Sequence, residues 1–138
     1  MINVTASAAR SSIIVPTGVW YVVKVTKMEQ KAAKTDGSTN YNYFMEILSD
    51  LKGDETYAGC TVKPLLINEK GTYQSGISFL LACGFPQELF NKLKSNRNAE
   101  PEQVDPESPV GQTIKAFIKT TEYEGKKSNE ATEFLPMN

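Results

Sequence analysis

Lys115, Phe117 and Lys119 alternate within Gly111–Thr121, so on a strand two ammonium groups and an aromatic ring share one face. Cations for phosphates and a flat ring for an unstacked base are the two things a single-stranded nucleic acid needs from a surface. The opposite face, Ile114, Ala116, Ile118 and Thr120, suits a core. A second set of the same kind lies in Val19–Lys27, where Trp20 and Lys24 oppose Val19, Tyr21, Val23 and Val25. Phe44 and Tyr57 are further candidate platforms, and Tyr123 stands beside a hairpin tip where a base can stack on it. Lys31, Lys34, Lys63, Lys126 and Lys127 are the cations placed to meet phosphate. Each of these residues has a packing alternative. Phe117 can form a second layer under a helix, Trp20 can plug a barrel end as large rings near strand starts do, and any one lysine can simply be solvated.

Other chemistries find less support. The chain has no histidine, which removes the usual general base, the commonest metal ligand and any Ser-His or Cys-His pair. There is no phosphate-binding GKS or GKT loop and no GxGxxG. Cys60 and Cys83 sit in apolar segments without metal-ligand spacing and are expected as reduced core residues. The chain is therefore read as no enzyme, without metal or cofactor. A carboxylate-metal nuclease drawing on Glu122, Glu124 and Glu130 is the enzymatic alternative.

With 138 residues, 40% hydrophobic and 22% charged, one globular domain is expected. No apolar run approaches the roughly 20 residues of a membrane span, and Met1–Arg10 lacks the basic start and apolar block of a signal peptide. A cytoplasmic location is expected. The net charge of −1 is unlike the basic footprint of most nucleic-acid binders, but charge is segregated along the chain. Lys24, Lys27, Lys31 and Lys34 cluster against Glu29. Glu100, Glu102, Asp105 and Glu107 cluster against Arg97, so a local field can differ in sign from the total.

The elements that must carry these residues follow from period and punctuation. Residues 1–17 are expected as a flexible arm or an edge strand, ending at Pro16-Thr-Gly18. The run from Val19 is rich in β-branched and aromatic residues, as strands are. Met28–Thr39 loses the alternation and holds the turn signal Asp36-Gly37, so a long lysine-tipped hairpin is expected, returning through Asn40–Leu48. There Tyr41, Tyr43, Met45 and Ile47 form the expected core face, unless a bulge exchanges the sets. A third strand is read over Thr56–Ile67, bent at Gly59 and Pro64.

Ser75 as cap and Gly84 as terminator bracket a short buried helix. A second helix over Gln87–Lys94 carries an apolar stripe of Leu89, Phe90 and Leu93 expected to pack in the core. Ser95–Pro109 reads as an exposed loop, and Glu130–Leu135 returns from a second lysine-tipped hairpin. About five short strands with a helical insert after the third match a five-stranded oligonucleotide/oligosaccharide-binding (OB) barrel, residues 18–138, in which ligands lie across strands 2 and 3 and between the 1–2 and 4–5 loops.

The ordered set Gly18-Val-Trp-Tyr-Val-Val-Lys-Val25, Lys34-Thr-Asp-Gly37, Asn40-Tyr-Asn-Tyr43, Tyr57-Ala-Gly59, Ala82-Cys-Gly84, Val110-Gly111, Tyr123-Glu-Gly-Lys126 and Asn129 resembles small single-stranded-DNA-binding proteins encoded by tailed bacteriophages. The resemblance spans about Gly18 to Phe134. It implies an OB barrel without catalytic residues that coats single-stranded DNA in phage replication or recombination inside the bacterial host cell. It also implies contacts with replication or recombination proteins and self-association as partners to look for. One departure is that the chain ends Glu133-Phe-Leu-Pro-Met-Asn138, where that family commonly carries an acidic, partner-recruiting tail. An OB-fold protein-interaction module, such as a host-takeover or anti-defence factor that binds no nucleic acid, is the alternative that suits the near-neutral charge.

Overall fold

Val19–Ala32 forms one long strand, β1, and the apolar set Tyr21, Val23 and Val25 on it is buried. Strands β2 (Thr39–Asp50) and β3 (Thr61–Asn68) follow, and β4 (Thr113–Tyr123) and β5 (Lys126–Leu135) close the chain. All five are antiparallel in a single sheet of order β3-β2-β1-β4-β5. Three helices accompany it: α1 (Ala6–Arg10), α2 (Gln74–Ala82) and α3 (Gln87–Ser95). The structure, a computed structural model, describes residues 1–138. The fold is mainly β, as the short β-branched runs imply, and no helix is long and apolar enough to cross a membrane.

Two irregularities in the β1–β2 ladder govern which side chains face out. The register shifts between Val22 and Val23, and again between Val25 and Lys27. At the second, Thr26 is the extra residue, so Lys27 rather than Thr26 stands opposite Phe44. An extra residue exchanges the two faces of everything beyond it. The strand therefore continues to Ala32, although its sequence loses the simple alternation after Lys27. On β2 the buried residues are Tyr43, Met45 and Ile47, with Tyr41 half-buried against them. Pro64 falls in the β2–β3 ladder where the register breaks between Tyr43 and Met45, a place where a missing amide donor costs nothing.

The sheet curls until its edge strands approach, yet β3 and β5 form no ladder with each other. Side chains bridge them instead. Asn129 on β5, 4% exposed, donates to the Thr61 carbonyl of β3 at 3.0 Å and to the Ile13 carbonyl at 2.9 Å, and its Oδ1 accepts from the Val15 amide at 3.0 Å. Farther along, the Ser78 hydroxyl of α2 accepts from the Phe134 amide at 2.8 Å and donates to the Phe134 carbonyl at 3.2 Å. Edge groups that a fifth ladder would satisfy, Thr61 O on β3 and Phe134 N and O on β5, are thus paired by two side chains.

Phe79 of α2 plugs the interior, its ring 5.0 Å from Tyr43 and 5.2 Å from Phe134. Gly84 at φ 109° lets the helix end in a Schellman turn, with Phe85 N bonded to Leu80 O and Gly84 N to Leu81 O. The helix begins two residues earlier than its Ser75 signal, with Tyr73 as N-cap.

Three segments differ from their sequence reading. Residues 11–15 pack across the β3–β5 seam with Val15 buried, and Arg10 anchors them by donating to the Ala58 and Thr56 carbonyls. Leu89, Phe90 and Leu93 of α3 do not enter the core, since no α3 residue is buried; Phe90 and Leu93 line an open cavity of about 720 Å³ against Tyr41, Leu80 and Pro106. The loop before β4 is less exposed at its end than its composition suggests, because Pro109 is buried and Tyr43 donates to the Pro106 carbonyl at 2.7 Å.

Candidate nucleic-acid interface

The outward face of β1 collects the expected residues into a stripe. At its start Trp20 stands opposite Phe117 of β4, the rings 5.3 Å apart and tilted by 53°. Both are half-exposed, because the side chains that alternate with them, Tyr21, Ala116 and Ile118, fill the core. Lys119 holds its ammonium 5.7 Å from the Phe117 ring. Val22 then stands opposite Lys115, and Lys24 is exposed between Thr113 on one side and Glu46 on the other. Past the bulge, Lys27 lies over the Phe44 ring at 4.6 Å and Lys31 follows opposite Asn40. Two aromatic stations separated by lysines result. Lys27 is a member that alternation missed, because only the bulge at Thr26 turns it to this face.

Each end of β1 carries one lysine hairpin. The Ala33–Ser38 turn, with Lys34, lies beyond Ala32 and is closed by an Ala33 N to Ser38 O bond of 2.7 Å. Asp36 fixes its shape by accepting from the Ser38 amide and hydroxyl and from Lys70 at 2.7 Å. The Lys70 ammonium and these donors hold the Asp36 carboxyl well below the usual carboxylate range. The second tip is a two-residue turn with Glu124 at φ 51° and Gly125 at φ 79°, both left-handed as a type I′ hairpin requires. It presents Lys126, Lys127 and Tyr123, the last 77% exposed. Val19 pairs with Ile118 and Lys24 with Thr113, so this tip lies beyond the N-terminal end of β1. The two hairpins flank the stripe from opposite ends and do not converge.

Few lysines of the stripe are held in ion pairs. The ion pairs of the chain are Lys27 with Glu29, Lys63 with Glu130 and Lys70 with Asp36. Lys24, Lys31, Lys34, Lys115, Lys119, Lys126 and Lys127 take part in none of them.

Two expected members sit elsewhere. Tyr57 is not on β3, which starts at Thr61; Gly59 at φ 83° turns the chain first, and Tyr57 packs edge-on against Tyr21 at 6.3 Å on the core. Lys63 lies across the β3–β5 seam, 3.8 Å from Glu130. That seam is an open groove of about 950 Å³ which Trp20 and Lys119 also line, together with Leu66, Tyr73 and Leu135. Tyr73, 91% exposed at the start of α2, carried no periodic signal in the sequence and appears at the groove only through the tertiary fold. Glu122, Glu124 and Glu130 are not gathered into any group that could hold a metal ion.

Compared with known proteins, the chain matches no family model, and no curated protein is significantly similar to it.

Proposed function

We propose that this chain binds single-stranded DNA without reading its sequence, as an OB-type barrel acting in bacteriophage DNA replication or recombination. The observation that carries the reading is the β1 stripe. The Trp20–Phe117 pair and the Phe44 ring offer two half-exposed aromatic stations, and Lys115, Lys24, Lys27 and Lys31 interleave them. Bases stack on rings whatever their identity, and lysines follow the backbone as point charges. Hairpins bearing Lys34 at one end and Lys126 and Lys127 at the other prolong the cationic track. The strand order, the approach of β3 to β5 and the placement of α2 between β3 and β4 at the seam support the OB reading.

The test is a titration of the intrinsic fluorescence of Trp20, the one tryptophan, with an oligothymidylate. Saturable quenching that weakens steeply with salt is expected. An unresponsive Trp20 at low salt, with no gel shift, overturns the reading. A second reading, a protein-interaction module, is favoured by Leu66, Tyr73 and Leu135, which are exposed and line the seam groove. A stable protein partner captured by nuclease-treated protein would support that one.

A further inference from the structure

The seam groove holds a contact that the β1 stripe does not use. Glu130 faces Lys63 of β3 at 3.8 Å and stands opposite Lys119 in the β4–β5 ladder. Lys63 thus holds the carboxylate directly while Lys119 lines the same groove, and Glu130 occupies the place at Lys63 that a phosphate would take. The groove is of the size that houses a drug-sized ligand, of which a nucleotide is one. Trp20 and Tyr73 both line it.

Resting on the single-strand-binding reading above, we propose that the strand's path turns from Trp20 across the β3–β5 seam, where a phosphate displaces Glu130 from Lys63 and a base stacks on Tyr73. Glu130 is then an internal competitor that lowers the affinity of the seam. Displacement is easy: the pair is long, and its side chains are 55% and 37% exposed, the class of ion pair that contributes least. A phosphate offers Lys63 a shorter, charge-assisted hydrogen bond in exchange. Tyr73 has almost no packing to lose, so its ring is available to a base.

The experiment measures the anisotropy of a labelled oligothymidylate with the full chain and three variants, each checked by thermal melting. Glu130→Gln is expected to bind about three- to tenfold more tightly at low salt, with the gain shrinking as salt screens the groove. Adding Lys63→Met to Glu130→Gln abolishes that gain. Tyr73→Ala is expected to weaken binding at least about fivefold. If the pair were only a clasp between β3 and β5, Glu130→Gln and the double variant would lower the melting temperature and the affinity alike. That result, or wild-type affinity in both Glu130→Gln and Tyr73→Ala, overturns the proposal. A wild-type chain that binds no oligonucleotide overturns instead the reading on which the proposal rests.

Discussion

Trp20 and Phe117 face each other across the β1–β4 ladder with ring centres 5.3 Å apart, and both project from the sheet on the side away from the core. Replacing Phe117 by Ala removes one ring from this pair and leaves the buried residues on either side of it in place. A half-exposed ring costs much less to delete than the about 3–5 kcal/mol of a core phenylalanine. The loss should therefore appear in binding. Phe117→Ala is expected to weaken oligothymidylate binding by about 1–3 kcal/mol, from roughly fivefold to over a hundredfold. Full affinity with the fold intact would move the site to the Phe44 end of β1.

Asn129 is the residue on which the seam depends. Its amide and carbonyl oxygen satisfy Thr61 O, Ile13 O and Val15 N at once, and no unpartnered buried side-chain polar atom is left in the chain. Asn129→Ala strands those backbone groups, and even one buried group left unpaired costs about 1–3 kcal/mol. A lower denaturant midpoint with an unchanged slope is expected, together with faster amide exchange at Val15. A midpoint equal to wild type would show that water replaces the side chain.

What the sequence revealed, and what it hid, divides along the range of the interactions. Alternation placed Phe117 opposite Ile118 and Trp20 opposite Tyr21 because a strand's two faces are a local property. From Lys27 onward the same rule failed, since one extra residue at Thr26 inverts the faces without any marker in composition. Tyr57 looked like a strand residue by propensity, yet Gly59 turns the chain just after it and the ring falls onto Tyr21. The Leu89–Leu93 stripe implied core packing, yet no residue of α3 is buried, because amphipathicity marks an apolar face without saying what lies against it. Lys63, Tyr73 and Glu130 come from three separate elements, and only the curl of the sheet brings them to one groove.

The two cysteines should be inert in the native state. Cys60 and Cys83 are both free and buried, and burial pushes the Cys83 thiol up to about 12, so almost none of it is thiolate at neutral pH. A thiol reagent is expected to modify neither residue until denaturant is added, and both then together. Rapid labelling of Cys83 in native buffer would show that α2 opens locally from Phe79.

Tyr43 makes the fold sensitive to alkali. Burial, helped by the negative charge of neighbours that include Glu107 and Asp105, raises its phenol to about 12, whereas an unfolded tyrosine ionises near 10. The folded state therefore favours the neutral phenol, which donates to the Pro106 carbonyl at 2.7 Å. Because the folded value is the higher one, the stability this group contributes is complete below pH about 10 and is lost as pH rises toward about 12. A phenolate absorbance titration should show a late step from Tyr43 that coincides with loss of the fold. Tyr43→Phe is expected to remove that late step. It should also loosen residues 104–109, because the hydroxyl is their tie to β2. If Tyr43, followed as the difference between the wild-type chain and Tyr43→Phe, ionised near 10 while the chain was still folded, the burial of Tyr43 under Phe79 would be far looser than its packing indicates.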